Sequence, residues 1–174
     1  GGPVLADEEF IKERMLKFYR QTGPTISPFN AWVLMKSLET IALRVERQAQ
    51  NAAAIAAWLE GRPGVVKMRY PGLESHPQHA LARRQMSHGG TLLAFTVEGG
   101  RQAAFRALNA LKLIDISNNL GDSKTLACHP ASTTHSSVGA AERADMGIDE
   151  GSIRISVGLE DVEDLKADLD AALA

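Results

Sequence analysis

Residues 152–169 read SIRISVGLEDVEDLKADL, and the change of period inside this stretch decides the fold. Ile153, Ile155 and Val157 alternate with Ser152, Arg154 and Ser156, the two-residue repeat of a strand with one face on a core. Arg154 therefore falls on the polar face. From Leu159 the period becomes helical, with Val162, Leu165, Leu169 and Leu173 in register. Glu160, Asp161, Glu163 and Asp164 crowd the first turn, where carboxylates favour the positive helix end. A strand thus runs straight into a closing helix. Taken alone, the stretch makes Arg154 a solvated arginine on the outer face of a sheet.

The remaining elements extend this α/β reading. Strands are expected near 65–70, 91–97, 113–116, 123–128 and 152–157, and helices near 78–86, 101–111, 140–146 and 161–173. Their alternation predicts a sheet with helices packed on one face. Turn signals at Pro71-Gly72, Gly89-Gly90, Gly99-Gly100 and Gly121-Asp122 punctuate the elements, without low-complexity linkers or internal repeats. Upstream, residues 7–21 form an amphipathic helix ended by Gly23-Pro24. Ser27 as N-cap and Pro28 at the first helical position then open a stretch running to Glu60, before Gly61 and Pro63 stop it. This is one very long helix, or two with a bend, and reads as a strut between two lobes. The expected organisation is 1–27 as the tail of a larger lobe, 28–61 as a connecting helix and 62–174 as a C-terminal α/β lobe.

The chain has 174 residues, 44% hydrophobic and 23% charged, enough for one substantial domain. A formal net charge of -2 gives no electrostatic case for nucleic acid or an anionic membrane. Cys128 is the single cysteine, so no intramolecular disulfide forms, and no apolar run approaches the ~20 residues of a membrane span. An intracellular, cytoplasmic protein is expected. The opening on Gly1-Gly2-Pro3 without Met, followed by a strand-like piece, reads as that of a fragment of a longer chain, or of a cleaved or partly ordered one.

Several chemical motifs have simpler explanations. His76 and His79 lack a third metal ligand. Cys128 and His129 are adjacent in a strand, so their side chains diverge and cannot share a proton. Trp32, Met35, Leu38, Ala42 and Val45 make a helical stripe that suits a core or subunit interface. Neither a dinucleotide fingerprint nor a phosphate loop is present. What stands out is the density of polar groups in 116–137, ISNNLGDSKTLACHPASTTHSS. Asn118, Asn119, Asp122, Ser132, Thr133, Thr134 and His135 surround a tight turn and two strand ends, where small ligands tend to bind. A guanidinium beside them presents a planar fork of donors that matches a carboxylate. Together these groups suggest capture of a small carboxylic acid such as an amino acid.

Four ordered motifs carry a resemblance that covers the whole chain: TGPTISPFNAWVLMKSLETIALRVER (22–47), YPGLESHPQHALARRQM (70–86), NNLGDSKTLACHPASTTH (118–135) and GSIRISVGLEDVEDLKADL (151–169). With them the sequence resembles the C-terminal part of the pyridoxal-phosphate (PLP) enzymes of cysteine and methionine metabolism, the cystathionine γ-synthase group. Within that group NLGDSKT and HPASTTH look like the acyl-homoserine sulfhydrylases, and RRQMSHGG (83–90) like the O-succinylhomoserine sulfhydrylases.

The resemblance implies a fold-type I architecture: a large PLP lobe, a long connecting helix and a small C-terminal α/β lobe, in homotetramers with active sites at subunit interfaces. It implies that Arg154 grips the substrate α-carboxylate. Asn119 matches the Ser or Asn that contacts the same region, and Thr134 the Thr that supports the site. The family's Schiff-base lysine precedes the Gly-Gly that Gly1-Gly2 resembles, and the other main PLP ligands lie further upstream. None of these is in the sequence, and Lys36, Lys112 and Lys124 are not substitutes. No catalytic residue is therefore expected in this chain. The activity implied is γ-replacement of O-succinylhomoserine by sulfide to give homocysteine. O-acetylhomoserine sulfhydrylase, cystathionine γ-synthase and methionine γ-lyase are the alternatives within the family. A free-standing interaction lobe without catalysis is the alternative from another class.

Overall fold

A computed structural model describes residues 4–174; Gly1-Gly2 and most of the strand-like opening lie outside the described residues, and residues 4–7 carry no regular structure. The chain divides into two units, 1–42 and 43–174.

In the first unit, Asp7 caps a helical run by accepting the Phe10 N–H at 2.7 Å. The run comprises α1 (Glu8–Phe10), a π-helical stretch (Ile11–Met15) and α2 (Leu16–Thr22), ended by Gly23 at φ 63°. Ser27 accepts the Asn30 N–H at 3.2 Å and opens α3 (Pro28–Leu38), with Pro28 in its first turn as expected. The stretch read as one long helix or two with a bend is two helices: α3 ends at Leu38, and α4 (Ile41–Leu59) begins after Glu39-Thr40. Phe29, Trp32, Met35 and Leu38 are all more than half exposed, an apolar stripe unusual for a soluble monomer. The isolated chain is accordingly expected to self-associate in sedimentation experiments, and a single 18.7 kDa species at high concentration would refute this.

The second unit is a five-stranded sheet in the order β1-β2-β5-β4-β3. Its strands are β1 (Val65–Arg69), β2 (Leu92–Val97), β3 (Asp115–Ile116), β4 (Leu126–Cys128) and β5 (Ser152–Ser156). All pairings are antiparallel except β3 with β4. The helices are the remainder of α4, α5 (His79–Gln85), α6 (Gly100–Ala110), α7 (Ala140–Asp145) and α8 (Val162–Leu173). Leu93, Phe95, Ile153 and Ile155 point from the sheet into one core, where Ile55 and Leu59 of α4, Ala104 and Leu108 of α6, and Leu165 and Leu169 of α8 meet them. One face is thus covered by helices, as the alternation predicted.

Two strands are shorter than expected because side chains have taken their N–H groups. The Asp168 carboxylate accepts from the backbone N–H of Lys112, Leu113 and Ile114 at 2.8, 3.0 and 2.9 Å, leaving only 115–116 for β3. Glu160 likewise takes the N–H of Thr125 at 2.6 Å and its hydroxyl at 2.8 Å, so β4 begins at Leu126. The opposite face of the sheet carries Ala94, Arg154 and Cys128 in register across its three central strands.

Candidate functional site

Arg154 is half-buried, not solvated as the stretch alone suggested. Its Nη2 donates to the carbonyl oxygens of Asn118 at 2.8 Å and Asn119 at 3.3 Å. Its Nε is sealed from solvent and has no hydrogen-bond partner among the described residues. An unmade bond on a buried cationic donor costs free energy that an anionic ligand would recover.

Arg154 and Asn119 therefore come together, but through the Asn119 main chain; the residue itself is exposed. The loop that carries it is strongly held. Ser117 accepts the Asn119 N–H at 3.2 Å, and Ser156 accepts the Gly121 N–H at 2.9 Å. Gln48 of α4 donates to the Asp122 carbonyl at 2.6 Å. The Asp122 carboxyl is held below its usual range by the Lys124 N–H and the Ser123 hydroxyl.

Thr134 lies in an exposed turn, where its hydroxyl meets Nδ1 of His135 at 2.8 Å. No hydrogen bond joins it to Arg154 or Asn119 among the described residues. The turn is anchored by His129, which is buried. The Glu150 carbonyl lies 2.8 Å from its Nε2 and can only accept, so Nε2 donates; the Ser132 hydroxyl meets Nδ1 at 2.8 Å. Phe105 packs edge-on against the ring, with centroids 5.0 Å apart. The Glu150 carboxyl is itself held low by hydrogen bonds from Arg101 and Arg143. A cavity of about 220 Å³ between Phe105, Ile116, Asn118, Cys128, His129 and Thr133 has both polar segments as its walls.

The other candidates are structural. His76 accepts the Gln78 N–H at 3.2 Å, and Nδ1 of His79 lies 3.1 Å from the Pro71 carbonyl oxygen. Cys128 is buried beside Arg154, and both ring nitrogens of the adjacent His129 are already engaged. Gln48 escaped the sequence reading, while Ser156 was read only as a polar-face strand residue and His129 only as the neighbour of Cys128. The signal for the first was available: two amides, Gln48 and Asn51, lie on the same helical stripe as Ala52, Ile55 and Leu59, and all five are buried.

The site is thus a half-buried arginine over a clamped asparagine loop, on a helix-backed α/β sheet. The model of the Cys/Met metabolism PLP-dependent enzymes matches residues 1–174, and the chain belongs to that family. An O-succinylhomoserine sulfhydrylase of Mycobacterium tuberculosis is 52% identical over 178 residues, covering 100% of this chain and 44% of that protein. An L-methionine gamma-lyase of Pseudomonas putida is 49% identical, covering 99% of this chain and 44% of that protein. The solved cystathionine gamma synthase of Xanthomonas oryzae pv. oryzae, in complex with aminoacrylate and cysteine, superposes with a TM-score of 0.87. It shares 38% identity and is matched over 98% of this chain and 44% of its own. The chain thus spans less than half the length of the curated relatives it matches. The mixed five-stranded sheet backed by helices, and this likeness, agree with the C-terminal part of a fold-type I PLP enzyme expected from the sequence.

The family is PLP-dependent. The described lysines do not fit the lysine that such a cofactor requires. Lys12, Lys36, Lys67, Lys124 and Lys166 each pair with a carboxylate at the surface or half-buried, and Lys17 and Lys112 are exposed. None lies buried in an apolar pocket.

Proposed function

We propose that this chain is the substrate-side portion of a PLP-dependent γ-replacement enzyme, an O-succinylhomoserine sulfhydrylase that forms homocysteine from acyl-homoserine and sulfide in methionine biosynthesis. The observation that carries the reading is the partnerless, buried Nε of Arg154 beside an Nη2 fixed by two carbonyls. That arrangement suits an α-carboxylate. Arg154 is the proposed carboxylate ligand, the Asn119 segment orients it, and Thr134 is proposed to support the site from its exposed turn. The choice of an O-succinyl substrate rests on the motif at 83–90 and on the Mycobacterium tuberculosis relative.

PLP, held mainly by residues outside this chain, would supply the electron sink for loss of the γ-substituent. A homotetramer in the cytoplasm is proposed with it; no described helix is long and apolar enough to cross a membrane.

The test is sulfide-dependent homocysteine formation by the full-length protein, with O-succinyl- and O-acetylhomoserine compared and methionine supplied alone as a third substrate. Preference for the succinyl ester supports the reading, and faster methionine breakdown overturns it in favour of a lyase. The 174-residue chain alone, mixed with PLP, is expected to show no stable visible Schiff-base absorbance. A band lost on mutation of one of its lysines would refute that.

A further inference from the structure

We infer that Gln48, together with Ser156, is a positioning residue that aims Arg154 at the substrate carboxylate, an inference that rests on the function proposed above. The buried face of α4 is built mainly from Ala, with Ile55 and Leu59, and Gln48, like Asn51, is an exception there, at 5% exposed. A buried amide on such a face is costly unless it is bonded. Its Nε2 donates at 2.6 Å to the carbonyl of Asp122, 74 residues further along the chain. One residue earlier, the Gly121 N–H donates at 2.9 Å to the hydroxyl of Ser156, which stands two residues from Arg154 on the same face of β5.

The C-terminal end of the 118–122 loop is thereby fixed to α4 and β5. Its N-terminal end presents the two carbonyls, of Asn118 and Asn119, that hold Nη2. A guanidinium is planar and rigid, so fixing Nη2 also fixes the direction in which Nε and Nη1 point. Releasing the loop lets the carbonyls move and the fork turn. Neither Gln48 nor Ser156 needs to touch the substrate for this effect.

The experiment uses the full-length, PLP-loaded enzyme. Gln48→Met keeps the approximate length and volume of the side chain and removes its amide, and with it the donor to the Asp122 carbonyl. It is expected to raise KM for acyl-homoserine about fivefold to thirtyfold, with kcat within about twofold and the cofactor spectrum unchanged. In an Arg154→Ala background the same substitution is expected to add less than about twofold, because no fork remains to be aimed. Ser156→Ala carries the same test if Gln48→Met does not fold.

Equal losses in both backgrounds would show that Gln48 only supports the fold and would overturn the inference. An unchanged KM, while Arg154→Ala alone costs more than about a hundredfold, would overturn it and leave the carboxylate role of Arg154 standing. Arg154→Ala activity close to wild type would defeat the carboxylate role and the inference together.

Discussion

Arg154→Ala in the full-length enzyme is expected to lower kcat/KM by about two to four orders of magnitude, the kinetic equivalent of roughly 3–5 kcal/mol. The size follows from the geometry. A charge-assisted, fork-like contact disappears, and the substrate carboxylate is left unpaired beside buried surface such as Cys128 and Ser156. Arg154→Lys should recover only part of the loss, since an ammonium cannot satisfy the Asn118 and Asn119 carbonyls and a carboxylate with the same planar fork. Both variants should retain the cofactor's visible spectrum, because the side chain is proposed to meet substrate and not cofactor. If Arg154→Ala folds, binds PLP and turns over acyl-homoserine within about threefold of wild type, the arginine is no more than a sheet residue that caps a loop.

The strand that carries Arg154 was legible because its two faces have opposite chemistry. Ile153, Ile155 and Val157 are all at most 2% exposed, so the two-residue period had a strong physical cause. The cap residue Ser27 was equally readable, because capping is a local bond between neighbours in sequence. The placement of Arg154 and Asn119 in one region came from the family motifs. That Asn119 contributes its carbonyl could not be read from residue type, since every residue has one. Bonds from Gln48 to residue 122 and from Glu160 to residue 125 depend on tertiary proximity that no local period encodes. His129 was judged by its thiol neighbour, whereas its real partners are Ser132, in the turn after β4, and Glu150, which precedes the paired strand β5.

Gly158→Ala is the substitution expected to damage the fold of the second unit most, by about 3–5 kcal/mol in chemical denaturation followed by circular dichroism. The cause is space. A Cβ at this position would stand 2.5 Å from both the Lys124 carbonyl carbon and the Ser123 carbonyl oxygen, and would also strike the Glu160 carboxylate. Two of those three are backbone atoms and cannot swing aside. The 123–125 segment would have to retreat, which breaks the Leu159 N–H bond to the Ser123 carbonyl at 2.8 Å and the Gly158 N–H bond to the Thr125 hydroxyl at 2.8 Å. It would also strain the Glu160 bonds to Thr125 and displace the end of the loop that holds Arg154. Gly121→Ala is the control in the same region. Its Cβ would meet nothing within 4 Å, so only the φ of +79° is penalised, at about 1–2 kcal/mol. A Gly158→Ala variant no less stable than Gly121→Ala would show that 123–125 yields freely. The loop would then be too soft to aim an arginine.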